Sequence, residues 1–480
     1  MTKSEKNKLE SLMNIEEVLS GVKGKLLSGK RDSFYFSNVA TDSRNVKQGS
    51  LFVPLVGEFQ DGHKYIPSSI EKGATVVFLS ENSFENEKDS YLDLIKKFPE
   101  VSFICVKNTL TALQNCAQKY VEKFPHLIKI SVTGSSGKTT TKEIANSILS
   151  EKFNVVCNKG NLNSETGLPI SCFEINGKTE VALLEMGMNR VDEIGELALT
   201  FKPKYAVITN IGTAHIGLLG SRQKIAEEKK KIFNFLGKDG IAFIPKNDDF
   251  ADFLSSNIEG KVIYYSKDED FSQIQNLGID GSSFVFKGEK INLSIPGIYN
   301  LYDCFAAVKL ADSLGLSVKE IKAGVKKVKP LNGRSKILKG NFNILEDCYN
   351  ANPDSMQSSL EFADELEIDS NKIFVLGDMK ELGNDSENEH EKVGKVVAES
   401  SCNLSVFIGS EMKAAYEKCK ELNGNNNLKI LYFEKYDDEE IKKIAVEILN
   451  FAKKGDFILL KGSHSVHLER FIDLLEKKGI

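Results

Sequence analysis

No stretch of this 480-residue chain approaches the ~18 successive apolar residues of a membrane span, which excludes a helical membrane protein. Its eight cysteines are scattered, and no two are spaced Cys-x-x-Cys. Most stand in apolar or helical contexts, as Cys105 does in VSFICV and Cys116 in LQNCAQ. That argues against a zinc site or a disulfide framework and for a reducing compartment. Charge is nearly balanced at a net −5, so nothing global attracts a polyanion or an anionic membrane, and no nucleic-acid partner is expected. The opening segment MTKSEKNKLE is charged and lacks the apolar core of a secretory signal. The expected location is the cytoplasm. Internal repeats and low-complexity segments are missing too. So are a Gly-x-Gly-x-x-Gly fingerprint and a Gly-x-Ser-x-Gly elbow, which leaves a dinucleotide site and a covalent serine nucleophile without support.

What is present is ordinary for a soluble globular protein, with 41% hydrophobic and 27% charged residues. The length exceeds what one core can hold and indicates two to four domains. Residues 1–107 mix short strand-like runs such as SLFVPLVG and ATVVFLS with turns and a helix from Ile66 to Lys72. This is a small N-terminal α/β unit. Across 108–329, apolar runs at 128–132, 180–186, 205–210 and 241–244 alternate with helices. Such near-continuous runs mark strands buried on both faces of a parallel sheet. KVKPLNGRSK (327–336) reads as a linker. From 330 to 480, strands at 342–347, 372–376, 405–409, 429–433 and 456–460 alternate with helices, giving a doubly wound, Rossmann-like sheet. The expected fold is α/β in three domains, the central one a parallel-sheet phosphate-loop ATPase unit.

The sharpest local signal is Thr133-Gly134-Ser135-Ser136-Gly137-Lys138-Thr139-Thr140, between a buried strand and a helix. Glycines there let backbone N–H groups close around phosphate oxygens at a helix N-terminus, where the dipole favours anions. Lys138 would reach the β- and γ-phosphates, and the Thr139 hydroxyl would ligate Mg²⁺. The loop is shorter than a strict Walker sequence, since Val132 stands where its first glycine belongs. Glu185 ends one apolar strand and His215 lies just past another, so both share the carboxyl edge of the sheet with the loop. A hydroxyl, a carboxylate and an imidazole beside two phosphates can hold Mg²⁺ or Mn²⁺. On residues alone, Lys229 in IAEEKKKIF reads as part of a solvated helix face.

Taken together these residues resemble the Mur ligase family, over nearly the whole chain and in order. The likeness runs through Asp42-Ser43-Arg44, the short loop TGSSGKTT, GNLNSETGLP (160–169) and Glu185-Met186-Gly187. It continues through Ala214-His215, Ile295-Pro296-Gly297, Asn300, Gly333-Arg334, DCYNANPDSM (347–356), Leu376-Gly377-Asp378 and Lys461-Gly462-Ser463. The resemblance implies an ATP- and Mg²⁺-dependent ligase of peptidoglycan synthesis, with UDP-N-acetylmuramoyl-tripeptide and D-alanyl-D-alanine as substrates. It implies that residues 1–107 hold the UDP-sugar, 108–329 hold ATP, and 330–480 close over ATP and bring in the amine. Carried over by position, Gly134 to Thr140 bind the phosphates, and Thr139, Glu185 and His215 serve the metal. Lys229 matches a carbamylated lysine of the family. Asn300 and Asp347 contact the nucleoside and Arg334 the γ-phosphate. Ser43 and Arg44 lie at the UDP-sugar, with Asn163 and Glu165 nearer the peptide. A monomer is expected. The sequence departs from the family pattern at Ser164, Lys231 and Asp303; an ionised Asp303 cannot donate to adenine as the usual amide does.

Amide synthesis from a carboxylate requires the oxygen to become a leaving group, here through an acyl phosphate, and needs no protein nucleophile. Two rivals stay open. One is a sister ligase that adds one amino acid to a muramoyl peptide, or glutamate to a folate. The other is a phosphate-loop ATPase or kinase whose outer domains bind a protein.

Overall fold

A computed structural model describes residues 11–29, 34–267, 270–424 and 428–476, so the charged opening segment read above lies outside the described residues. The architecture is α/β in three domains, each built on its own sheet. The first sheet joins β1 (Lys25–Ser28), β2 (Asn38–Ala40), β3 (Ser50–Phe52), β4 (Ala74–Ser80) and β5 (Ser102–Val106) in the order β1-β5-β4-β3-β2. It is parallel except for β1, which runs antiparallel to β5 at one edge.

The central sheet consists of β6 (Ile128–Thr133), β7 (Val155–Cys157), β8 (Val181–Glu185), β9 (Tyr205–Ile208), β10 (Ile241–Pro245) and β11 (Lys261–Tyr265). Its order is β11-β10-β9-β6-β8-β7, and every pairing is parallel. Every residue of β8 is buried, which is why that strand shows no polar alternation in the sequence. β7 and β11 were not legible as apolar runs. They are short or half-exposed strands at the two edges, where burial on one side does not demand a continuous apolar run. A separate antiparallel sheet follows: β12 (Phe271–Asn276), β13 (Ser282–Phe286) and β14 (Glu289–Leu293). Sequence reading missed it as well. It packs through Phe271 and Phe284 onto Phe305 of the helix Tyr299–Ser313, with Phe286 stacked on Phe271.

The sheet of the third domain contains β15 (Lys336–Lys339), β16 (Asn343–Asp347), β17 (Lys372–Gly377), β18 (Leu404–Ile408), β19 (Lys429–Phe433) and β20 (Phe457–Lys461). The order is β15-β16-β20-β17-β18-β19. Five strands are parallel, and β15 adds an antiparallel edge through a hairpin to β16. Separate apolar clusters cover its two faces, as a doubly wound sheet requires. Between the first two sheets the helix Thr109–Val121 is amphipathic and buries Ala112, Leu113, Cys116, Ala117 and Tyr120 in a core shared by both domains. That shared core couples the N-terminal domain to the central one. No helix among the described residues is long and apolar enough to cross a membrane.

Candidate active site

The loop between β6 and the helix Lys138–Leu149 is shaped by two glycines. Gly137 caps the helix at φ +78°, and Gly134 has φ +155°. A Cβ at Gly134 would lie 1.7 Å from Thr209 Oγ1, so the close approach tolerates no side chain. Thr209 and Asn210, at the end of β9, brace the loop. Thr209 Oγ1 and Asn210 Nδ2 donate to the Ser136 carbonyl at 2.5 and 3.2 Å, and Ser136 N donates to Asn210 Oδ1 at 3.0 Å. The first N–H groups of the helix have no intrahelical acceptor, so the cradle offers free donors to an anion. Lys138 Nζ folds back on the carbonyls of Gly134 and Ser135 at 2.9 and 3.3 Å. Burial lowers the pKa of its ammonium, against the pull of Glu185.

Beside the loop, Thr139 Oγ1 donates to Glu185 Oε2 at 2.8 Å. Asn163 Nδ2 donates to the other oxygen, Oε1, at 2.7 Å. Asn163 is therefore engaged with Glu185 as well as facing the cavity. Asn158 clamps the Glu185 backbone, accepting from its N–H and donating to its carbonyl, both at 3.0 Å. His215 sits in the left-handed region at φ +66° and places Nδ1 2.8 Å from Glu381 Oε2. That contact, first among its causes, holds the Glu381 carboxyl below the usual range. A carboxylate on Nδ1 leaves the Nε2 lone pair available, the arrangement that metal-binding histidines use. Hard oxygen donors from Thr139 and Glu185, with a free imidazole nitrogen, fit Mg²⁺ or Mn²⁺.

The C-terminal domain roofs this edge. Asp354 Oδ2 accepts from Thr213 N and Oγ1 at 2.6 and 2.7 Å, and Asn352 Nδ2 donates to Ser136 Oγ at 3.0 Å. Gly217 packs against Gly383, where a Cβ would lie 2.6 Å from the Gly383 nitrogen. The structure is thus a closed arrangement of central and C-terminal domains. Between them lies a cavity of 660 Å³ whose walls include the phosphate loop, Asn163, Glu185, His215, Asn300, Asp303, Arg334 and Asp347. Arg334 lies with its guanidinium carbon 4.0 Å from the centre of the Tyr349 ring. Asp347 accepts from Lys461 Nζ at 2.8 Å, Ser359 Oγ at 2.7 Å and Ser335 N at 3.1 Å, and is fixed in place. Asn300 Nδ2 donates to the Pro296 carbonyl at 2.6 Å.

Five of the sequence candidates are not among the residues that line this cavity: Gly134, which shapes the loop from behind, and Ser43, Arg44, Glu165 and Lys229. The Arg44 side chain is 86% exposed and pairs with Asp42, while the Ser43 carbonyl accepts from Lys72 Nζ at 2.8 Å; both lie in the N-terminal domain. Glu165 pairs with Arg190 at 2.5 Å. Lys229 is only 1% exposed. Its helix face is a buried one, contrary to the bare reading of a charge run. Burial first, and then the Lys138 charge, push its ammonium pKa well below the usual value. Its neighbours do differ: Lys230 Nζ donates to the Phe253 carbonyl at 2.6 Å, and Lys231 Nζ bridges Asp192 and Glu228. Sequence reading missed Asn158, Thr209 and Asn210. The one available signal was Asn210 at the end of the buried run YAVITN, on the same sheet edge as the loop.

Comparison with known proteins agrees with this geometry. Models of the Mur ligase catalytic domain, middle domain and glutamate ligase domain match residues 35–120, 132–311 and 333–464. A UDP-N-acetylmuramoyl-tripeptide–D-alanyl-D-alanine ligase from Treponema pallidum is 38% identical, the match covering 97% of this chain and 100% of the relative. The chain belongs to the Mur ligase family. A second Mur ligase of the same name, from Bacillus subtilis, is 32% identical over 96% of this chain and 98% of its own. Among solved structures, a MurF from Acinetobacter baumannii superposes with a TM-score of 0.84 at 28% identity, covering 97% of this chain and 99% of that one. The MurF ligase of Thermotoga maritima, solved in complex with ADP, gives 0.75 at 26% identity, covering 92% and 97%. The three-domain architecture described above is therefore the Mur ligase fold.

Proposed function

We propose that this chain is an ATP-dependent amide ligase that joins D-alanyl-D-alanine to UDP-N-acetylmuramoyl-tripeptide, forming the pentapeptide with ADP and phosphate. The observation that carries the reading is the 660 Å³ cavity, which combines a phosphate-cradling loop with a carboxylate–hydroxyl pair under a closed C-terminal roof. In the first step the γ-phosphoryl of ATP moves to the tripeptide carboxylate, forming an acyl phosphate and ADP. The dipeptide amine then attacks that carbonyl, an amide bond forms, phosphate leaves and the amine releases its proton. Lys138 and Arg334 neutralise charge on the transferring phosphoryl, and closure of Asp354 on Thr213 excludes water that would hydrolyse the acyl phosphate.

Thr139, Glu185 and His215 would hold Mg²⁺ or Mn²⁺, which when bound supplies neutralisation of phosphate charge. Lys229 is proposed to be carbamylated and to serve the same metal region. Its burial disfavours the ammonium and so favours the neutral amine, the form that combines with carbon dioxide. Asn300 and Asp347 are proposed to contact the nucleoside, Ser43 and Arg44 the UDP-sugar, and Asn163 and Glu165 the peptide side. By the same reading, residues 1–107 hold the UDP-sugar, 108–329 the ATP, and 330–480 bring in the amine. Because the cavity is complete within one chain, we take the enzyme to act as a monomer. The cytoplasm is the compartment that supplies both nucleotide substrates. Phosphate release should require ATP, the UDP-muramoyl tripeptide and D-alanyl-D-alanine together. Equal release with a single amino acid in place of the dipeptide would reject this assignment in favour of a sister ligase.

A further inference from the structure

The segment that follows β20 carries a second group of ligating side chains, which the ligase reaction does not use. His464, His467 and Glu469 each bring a ligand atom within 4.8 Å of the other two. His467 Nδ1 lies 3.0 Å from Glu469 Oε1, and the two imidazoles meet edge to face with centroids 5.3 Å apart. The local sequence enforces this. Val466 and Leu468 are fully buried beneath the sheet and anchor the turn, while His464 and His467 between and beside them are exposed. A single 3-10 turn, His464–Val466, ends on His467 at φ +57°, and the His467 N–H donates to the His464 carbonyl at 3.0 Å. The backbone therefore doubles back and presents both imidazoles to one side. Neighbouring cations have acceptors of their own: Arg470 binds Asp438, the Tyr436 carbonyl and, through Nε, the backbone carbonyl of His467 at 3.2 Å, and Lys461 binds Asp347.

We infer that His464, His467 and Glu469 form a binding site for a divalent first-row transition ion of the Zn²⁺ class, separate from the phosphate-loop site. Two imidazoles and one carboxylate suit Zn²⁺, Co²⁺ or Ni²⁺, whereas Mg²⁺ and Ca²⁺ take oxygen donors. Metal–ligand bonds of about 2.0–2.1 Å put tetrahedral donors roughly 3.3 Å apart, so a modest turn of exposed side chains closes the cluster on an ion. Water completes the coordination on the solvent side. The site adjoins the nucleotide cavity, since His464 stacks on Tyr349, with ring centroids 5.6 Å apart, and Arg334 rests on the same ring.

The test uses the full chain, stripped with a chelator and titrated calorimetrically with ZnCl₂ in millimolar MgCl₂. Wild type should bind one equivalent of Zn²⁺ that the His464→Ala/His467→Ala double variant lacks. Glu469→Gln, which keeps the shape of the side chain, should weaken that equivalent by about tenfold or more. Co²⁺ should give wild type a visible absorption that is absent from the double variant. Equal stoichiometry and affinity in wild type and double variant would overturn the inference. So would complete displacement of the ion by Mg²⁺, or loss of the equivalent in His215→Ala, which would assign it to the phosphate-loop site.

Discussion

Asp303 lies on the helix Tyr299–Ser313 at 7% exposure, against Gly137 of the phosphate loop, and accepts from Thr141 Oγ1 at 3.1 Å. Burial raises its pKa to about 8, in spite of the Thr141 hydroxyl and the charges of Arg334 and Lys138. In the folded enzyme at neutral pH the group is a carboxylic acid; in the unfolded chain it ionises above about pH 4. Between those values only the folded state holds the proton. Stability is therefore complete below about pH 4 and falls as pH rises to about 8. At about 1.4 kcal/mol per unit, three to four units amount to roughly 4–6 kcal/mol at pH 8. Relaxation and water entry beside an open cavity reduce this to about 2 kcal/mol. Asp303→Asn keeps the shape and removes the ionisation. The variant should match wild type near pH 5 and exceed it at pH 8 by about 2 kcal/mol, or about 5 °C for a unit of roughly 200 residues. Calorimetric melting of ligand-free enzyme from pH 5 to 8 reads this directly. A Tm difference that does not change with pH would refute the reasoning. The same protonation corrects a sequence expectation: as a carboxylic acid, Asp303 can both donate and accept as an amide does. Nucleotide KM should consequently change only modestly in Asp303→Asn, with kcat nearly unchanged.

Lys138→Ala should leave the melting profile close to wild type but abolish turnover; a rate above about a tenth of wild type would remove the phosphate-loop assignment. Lys229→Ala should be nearly inactive and regain part of its rate with a small added carboxylic acid. Wild type should lose activity when bicarbonate is stripped at mildly acidic pH. Lys230→Ala, whose side chain caps the Phe253 carbonyl, should remain close to wild type, and equal activity of both variants would return Lys229 to a structural role. Asp354→Ala removes the acceptor for Thr213 and should raise nucleotide KM severalfold by favouring the open domain arrangement; an unchanged KM would show that closure does not depend on this contact.

Periodicity and motif context determined much of this protein. Continuous apolar runs announced the buried parallel strands β6, β8, β9 and β10, and strand–glycine loop–helix order announced the phosphate loop. Both are local properties, because a strand buried on two faces must be apolar throughout and a phosphate cradle needs glycine at set positions. Edge strands β7, β11 and β15 escaped, since a strand with one open side needs no continuous apolar run. The state of charged residues was decided by tertiary structure alone. Lys229 sits in a run that reads as solvated but is 1% exposed, and Asp303 reads as a carboxylate but is held as an acid. Desolvation depends on what packs around a group, and for both the packing comes from segments distant in sequence. The closing contacts of Asp354 on Thr213 and Glu381 on His215 likewise join residues 141 and 166 positions apart, a pairing that only the folded arrangement of two domains creates.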